Sequence, residues 1–203
     1  MSGEVHHFCS LLSPWVLMGW EGLEQICDDA GVPVRHRFVD LQRVFEANGG
    51  QPGGNKSPEK QAYRLTELRR WSRHRGLDLI LQPAHHPFDA DLATRLVLAA
   101  EAREDDAAAL ARTFMGALWL EDANLADTDT LAELLRRAGL PAEPLFSAAD
   151  EPEVRQRLEE NTEDAIRLGV FGVPTYVYRG ELFWGQDRLY FLAQALAGGE
   201  SAA

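Results

Sequence analysis

The stretch Leu11–Trp15, LLSPW, separates a short apolar run from a long segment whose apolar residues recur at helical spacing. The run Phe8–Leu12 is typical of a buried strand. Ser13 then occupies the position of a helix N-cap, and Pro14 that of the first helical residue. The helical pattern continues as far as Gly31. The sequence therefore predicts a strand-to-helix turn at which Ser13 lies beside free backbone N–H groups and the positive end of a helix dipole.

The composition limits the classes of partner. The chain has 203 residues, of which 45% are hydrophobic, and a net charge of −12. This charge argues against nucleic acid or an anionic membrane as the main partner, although a small anion can still bind in a local basic pocket. No apolar stretch is long enough to span a bilayer, and the opening MSGEVHHF lacks the pattern of a secretory signal. Cys9 and Cys27 form no C-x-x-C pair and are expected to be core thiols of a cytoplasmic protein.

The order of predicted elements indicates the fold. Val32–Leu41 is predicted as a second strand, and Glu46–Pro58 as a loop rich in Gly, Pro and Asn. Two short strands, Thr175–Tyr178 and Glu181–Trp184, flank a predicted turn near the end of the chain. Amphipathic helices are predicted over residues 59–76, 88–105, 107–122, 128–140 and 150–169, and a closing helix over 186–199.

This order predicts an α/β, thioredoxin-like fold with an all-helical domain inserted between its βαβ and ββα halves. The expected parts are residues 1–55 for the N-terminal half, 56–150 for the helical insertion and 151–203 for the C-terminal half. In such a fold the start of the first long helix, the entry to the third strand at Val173-Pro174 and the segment WGQDRL at 184–189 converge at one end of the sheet.

Over nearly its whole length the sequence resembles 2-hydroxychromene-2-carboxylate isomerases and kappa-class glutathione transferases, a DsbA-like branch of the thioredoxin superfamily. The resemblance rests on the order and spacing of several segments: LLSPW, VDLQRVF, GGNKSP, RLTELRRWSRHRGLDL, GALW, GVFGVPTYV and ELFWGQDRL.

Redox members of this superfamily carry C-x-x-C at the start of the first helix, where this chain reads Ser13, Pro14, Trp15 and Val16. Dithiol exchange needs an attacking thiolate and a resolving partner, so a dithiol oxidoreductase is disfavoured. The resemblance implies that glutathione is the cofactor and that its own sulfur replaces the missing cysteine. Ser13 is then the catalytic residue, since its hydroxyl would donate a hydrogen bond to the thiolate. Alternatively, Ser13 is only a helix cap.

The resemblance extends the glutathione site beyond Ser13, Pro14 and Trp15. Val173-Pro174 would be a cis peptide whose Val173 backbone pairs with the cysteinyl unit; the alternative is a trans proline at the start of an edge strand. Asn55 matches a glutathione-contacting asparagine. Gln186 and Asp187 would contact the γ-glutamyl group, although Asp187 can also be an ordinary N-cap.

Three residues are expected, by the same resemblance, to line the pocket for the second substrate: Phe45, His86 and Phe88. Phe45 stands where a naphthalene-pathway isomerase has a lysine for its substrate carboxylate. His86 is a candidate acid or base, or else a cap of the following helix. The pairs His6-His7 and His85-His86 lack the spacing of metal ligands, so no metal is expected.

The sequence thus predicts a glutathione-dependent isomerase acting on a small electrophilic substrate derived from an aromatic compound. If the glutathione adduct persists, the outcome is instead a transferase. A third alternative is a non-catalytic module that binds glutathione or a peptide. Dimers are frequent in the family, so a homodimer is an open expectation.

Overall fold

The computed structural model describes residues 3–49 and 57–198. Its strands are β1 (Val5–Cys9), β2 (Val34–Phe38), β3 (Thr175–Tyr178) and β4 (Glu181–Trp184). Its helices are α1 (Pro14–Ala30), α2 (Leu41–Ala47), α3 (Pro58–His74), α4 (Asp91–Ala102), α5 (Ala107–Glu121), α6 (Thr128–Arg137), α7 (Ala142–Ala149), α8 (Pro152–Arg167) and α9 (Leu189–Leu196), with a 3₁₀ turn at Gln186–Arg188 before α9.

The four strands form one sheet in the order β2-β1-β3-β4. β2 runs parallel to β1, whereas β3 runs antiparallel to both β1 and β4. This is the predicted thioredoxin-like arrangement. The first strand was predicted at Phe8–Leu12 but lies three residues earlier, at Val5–Cys9, because the chain turns after Cys9. The N–H of Ser13 bonds to the Ser10 carbonyl at 3.2 Å, and the Ser10 hydroxyl accepts from the N–H of Leu12 at 3.3 Å.

The chain divides into two compact units. Among the described residues, the first contains 3–49 and 161–198, and the second contains 57–160. The chain thus returns to the first unit within α8, between residues 160 and 161. The boundary predicted from the sequence, between residues 150 and 151, lies before that helix. The first unit holds the whole sheet together with α1, α2 and α9.

One face of the sheet in the first unit packs against α1 and α9. Leu23 and Cys27 of α1 contact a buried cluster with Tyr176, Phe183 and Leu192. Each such apolar side chain removed from water contributes about 1.5–3 kcal/mol to folding. This burial fixes α1 over the sheet, and hence fixes the position of its first residue.

The second unit is built from helices α3 to α7. α4 is buried along most of its length, and Arg95 in its middle is 7% exposed. The Arg95 guanidinium bonds to Asp91 and Asp150 at 2.8 Å each and also to the Ala149 carbonyl, so it connects α4 to the end of α7. Within the described ranges, no helix is both long and apolar enough to cross a membrane.

A histidine pair, with His7 buried and His36 half-buried, lies between α1 and the sheet. Nδ1 of His7 on β1 is 2.9 Å from Nδ1 of His36 on β2, and His7 is 0% exposed. The Trp20 indole stacks on the His36 ring with centroids 4.1 Å apart. Nε2 of His7 is buried without a hydrogen-bond partner. Burial, and secondarily the neighbouring His36, hold the pKa of His7 well below its ordinary value of 6.5.

Stability should therefore fall in mild acid. In the unfolded chain His7 takes up a proton below about pH 6.5, whereas in the folded protein it stays neutral, so acid favours unfolding. We expect the free energy of unfolding to decrease by up to about 1.4 kcal/mol for each pH unit below that value. Urea titrations at several pH values measure the slope. His7→Leu should flatten it, and a wild-type profile already flat between pH 6.5 and 5 would contradict the assignment.

Candidate functional site

The start of α1 carries Ser13 at the end of the sheet. Ser13 is 6% exposed and occupies the N-cap position with extended backbone, yet its side chain makes no capping hydrogen bond. Its hydroxyl instead donates to the carbonyl of Val173, at 3.4 Å, across 160 residues of sequence. Ser13 therefore holds the N-cap position through its backbone, while its hydroxyl is not used for capping. Its hydroxyl joins the start of α1 to the loop that enters β3.

The entry to β3 has the predicted backbone form. Val173-Pro174 is a cis peptide bond, which confirms the prediction. The alternative was a trans proline at the start of an edge strand. It is wrong, because the bond is cis and β3 lies between β1 and β4. Two hydrogen bonds fix this entry. The Thr175 hydroxyl donates to the Gly172 carbonyl at 2.7 Å, and the N–H of Gly185 donates to the Pro174 carbonyl at 2.9 Å.

Asp187 reaches the same end of the sheet through the turn after β4. Gly185 has φ +101, and a Cβ on it would lie 2.6 Å from Oδ1 of Asp187, so this turn requires glycine. The Asp187 side chain is 41% exposed and pairs with Arg188. Asp187 is not an N-cap: the cap positions of the 3₁₀ turn and of α9 are Gly185 and Arg188. Its carboxylate is thus accessible to a cation.

Gln186, next to Asp187, has a different environment. It is 2% exposed, and its Cβ lies 2.8 Å from where a Cβ on Gly19 would stand. Gln186 therefore packs closely against α1. The remaining residues of the predicted helix start, Pro14 and Trp15, are buried and half-buried respectively.

Neither cysteine belongs to this site. Cys9 and Cys27 are both buried, and neither forms a disulfide. Burial, with a smaller contribution from Asp28, raises the pKa of the Cys27 thiol to about 11. That thiol is therefore protonated at neutral pH and is not a nucleophile. Cys9, at the end of β1, is 0% exposed, so neither cysteine offers an exposed thiol beside Ser13.

The predicted substrate-lining residues fall in both units. Phe45 is half-buried on α2 of the first unit, and His86 and Phe88 are half-buried in the second. The His86 ring packs on Trp119 with centroids 4.7 Å apart. His86 does not cap the following helix, since Ala90 holds the N-cap position of α4. Asn55 lies outside the described residues. Across the described parts of the chain, no three His, Cys, Asp or Glu side chains are grouped to hold a metal ion.

An exposed aromatic pair close to this end of the sheet escaped the sequence analysis. Phe171 is 44% exposed and Trp184 52% exposed, and their rings meet edge to face with centroids 4.7 Å apart. Apolar residues in strand-like segments are normally expected to be buried, so composition carried no signal for this exposure. Only the position of Trp184 on an edge strand, once the sheet order is known, explains it.

Comparison with known proteins agrees with this geometry. The family model described as DSBA-like thioredoxin domain matches residues 4–197. A 2-hydroxychromene-2-carboxylate isomerase of Pseudomonas putida is 29% identical, over 95% of this chain and 93% of its own length. Glutathione S-transferase kappa 1 of Homo sapiens is 24% identical, over 95% of this chain and 90% of its own length.

A solved structure of a 2-hydroxychromene-2-carboxylate isomerase is also similar. Its TM-score to this chain is 0.79 at 26% sequence identity, covering 96% of this chain and 94% of the solved one. The similarity thus runs over both units. The relatives named are enzymes, an isomerase and a glutathione transferase.

Proposed function

This chain belongs to the DSBA-like thioredoxin domain family, and on that premise we propose that it is a glutathione-dependent isomerase without a catalytic cysteine. One observation carries the proposal: the Ser13 hydroxyl, at the start of α1, is bonded to Val173 before a cis proline, where no protein thiol stands. The similarity to an isomerase and to a glutathione transferase supports glutathione as the missing thiol.

Ser13 would activate the glutathione sulfur. A free thiol has a pKa of about 8.5. A hydroxyl donor and a helix N-terminus both favour the thiolate, and together they could lower that pKa by about one or two units. Because the Ser13 side chain does not cap the helix, its hydroxyl can turn from the Val173 carbonyl to the sulfur. Ser13 then positions and stabilises the nucleophile and forms no bond to the substrate.

The rest of the glutathione would extend along the entry to β3. The Val173 backbone would pair with the cysteinyl unit, beside Pro174. The exposed carboxylate of Asp187 would bind the ammonium of the γ-glutamyl group in place of Arg188. Gln186 is buried against α1, and its place in the proposed site rests on the family resemblance. Asn55, Pro14 and Trp15 complete the proposed site.

The reaction would be a reversible conjugate addition. The thiolate forms a C–S bond to a carbon–carbon double bond that is conjugated to a carbonyl, and the electron pair moves to the carbonyl oxygen. The former double bond then rotates as a single bond. Return of the electron pair reforms the double bond and expels the thiolate, so glutathione is regenerated and no oxidant is needed. Orientation of the two reactants supplies much of the acceleration.

A transferase is the second candidate, favoured by the similarity to glutathione S-transferase kappa 1. It would share the thiolate addition but release the adduct. Product analysis separates the two: an isomerase leaves the glutathione concentration unchanged, whereas a transferase consumes one glutathione per turnover. Glutathione binding with no turnover over a panel of electrophiles would instead indicate a binding module.

Calorimetric titration with reduced glutathione tests the cofactor. We expect a dissociation constant within the range of cellular glutathione, and Asp187→Asn should raise it about tenfold because one charged contact to the ammonium is lost. Asp28→Asn is the matched control: Asp28 is an exposed acid near the far end of α1, roughly 20 Å along the helix from Ser13, and should leave binding unchanged. No binding at millimolar glutathione would contradict the proposal.

A further inference from the structure

The loop that leads from α8 into β3, residues 170–174, is held through its carbonyl groups, and we call it the entry loop. Several of these carbonyls accept a hydrogen bond, and each donor lies on a different part of the first unit. The acceptors and their donors are Val170 with Asn48, Gly172 with Thr175, Val173 with Ser13, and Pro174 with the N–H of Gly185. The elements around the entry loop therefore fix its backbone from several sides.

Asn48 reaches the entry loop from the end of α2. It holds the C-cap position of that helix, and its Nδ2 donates to the Val44 carbonyl at 2.9 Å and to the Val170 carbonyl at 3.0 Å. The first bond satisfies one of the carbonyls that the last turn of a helix leaves without an intrahelical partner. The second bond crosses 122 residues of sequence and contributes nothing to the helix. It joins α2 to the entry loop.

The chemistry of this contact requires an amide. A primary amide carries two N–H donors on one nitrogen, and Asn48 uses both of them on carbonyl oxygens. An ionised carboxylate of the same shape would face these two carbonyls with an oxygen that has no hydrogen to donate, so it would repel both. Asn48 is exposed, so filling of buried volume does not explain its place here.

Both ends of α2 are attached to the segment that contains α8 and the entry loop. At the start of the helix, the N–H of Asp40 donates to the Thr162 hydroxyl on α8 at 3.0 Å. At the end of the helix, Asn48 bonds to Val170, and Val44 between these two points is buried. The helix is thus a fixed support, and its bond to Val170 restrains the backbone three residues before Val173.

We propose that Asn48 is a positioning residue of the glutathione site: by holding Val170, it keeps the Val173 backbone in place for the cysteinyl unit. This inference rests on the proposed function, in which Val173 pairs with that unit. Within the described parts of the chain, the N–H of Val173 donates to no other residue, so it is available to a ligand. A loop that is already held in its binding form loses less conformational freedom when the ligand binds, which favours affinity.

Amide hydrogen exchange of the ligand-free protein, followed by NMR, tests whether Asn48 holds the loop. Asn48→Ala should speed exchange of the Gly185 N–H, which bonds to the Pro174 carbonyl, about tenfold. Asn48→Asp keeps the shape of the side chain and should speed it at least as much. Gln42→Ala is the matched control, because the Gln42 amide lies on the same helix but bonds to Glu46 at the surface. Unchanged exchange in both Asn48 variants would overturn the proposal.

Calorimetric titration with reduced glutathione tests the consequence for binding. Asn48→Ala should raise the dissociation constant about tenfold and Asn48→Asp about 30-fold, whereas Gln42→Ala should stay within about threefold of the wild type. The thiol pKa of bound glutathione should stay within about 0.3 of the wild-type value in each variant, because Asn48 makes no hydrogen bond to Ser13. Ser13→Ala should change that pKa, so the two roles are separable.

Two further results would contradict different parts of this account. Faster exchange with unchanged glutathione affinity in the Asn48 variants would overturn the positioning role. Absence of glutathione binding in the wild type would overturn the proposed function itself. The exchange experiment contains no glutathione, so the hold of Asn48 on the entry loop is decided separately.

Discussion

Replacing Ser13 with alanine is expected to lower kcat/KM for glutathione-dependent turnover about 10- to 100-fold. A hydrogen bond to a charged group contributes about 1.5–3 kcal/mol, and Ser13→Ala removes one from the thiolate. The loss should be larger in kcat/KM than in the affinity for glutathione, because the hydroxyl acts on the charged sulfur and not on the peptide. Steady-state rates with a chloronitrobenzene acceptor and with unsaturated aromatic acids measure the effect.

Ser10→Ala is the matched control for this experiment. Ser10 is also buried, at 3% exposed, and is three residues away, but its hydroxyl accepts a hydrogen bond from Leu12 within the turn. We expect its rate to stay within about threefold of the wild type, since the bond is local and neutral. Equal losses for Ser10→Ala and Ser13→Ala would show that the turn, and not the Ser13 hydroxyl, sets the rate.

The largest loss of stability is expected for Trp20→Ala. Trp20 is 1% exposed, stacks on His36 and donates from Nε1 to Glu24 at 2.8 Å. Removing so large a buried ring should lower the free energy of unfolding by about 3–5 kcal/mol, because α1 loses its stacking contact with His36 of β2 and a cavity remains. Urea denaturation followed by circular dichroism measures this change.

Two further variants make the Trp20 result interpretable. Trp20→Phe keeps an aromatic ring and should cost less, about 1–2 kcal/mol, so it is measurable even if Trp20→Ala does not fold. Tyr63→Ala, at a residue 62% exposed, should change the free energy of unfolding by less than about 0.5 kcal/mol. A Trp20→Ala protein as stable as Tyr63→Ala would contradict the packing described.

The elements with strong local signals were predicted well from the sequence. The strands Thr175–Tyr178 and Glu181–Trp184 are confirmed residue for residue, because the turn between them is fixed by Arg179-Gly180. The two short helices α2 and α7 were missed. α2 has seven residues and runs into the Gly-rich loop, and α7 has eight residues with a proline in its first turn. Segments of two turns carry too little periodicity to be recognised.

Only part of the candidate site could be predicted from the sequence. The cis bond at Pro174 followed from the family resemblance and is confirmed. The bond from Ser13 to Val173 joins residues far apart in the chain, so no local pattern could show it. Likewise, the burial of Gln186 and the exposure of Trp184 depend on how α1 and the sheet edge pack, and residue type alone does not determine either.

The thiol pKa of bound glutathione tests the central claim most directly. It is measured by titrating the ultraviolet absorbance of the thiolate in the complex, for the wild type and for Ser13→Ala. We predict a pKa of about 6.5–7.5 in the wild-type complex, one or two units below that of a free thiol, and a rise of about one unit in Ser13→Ala. A bound thiol that titrates at about 8.5 in both proteins would contradict the role assigned to Ser13 and to the start of α1.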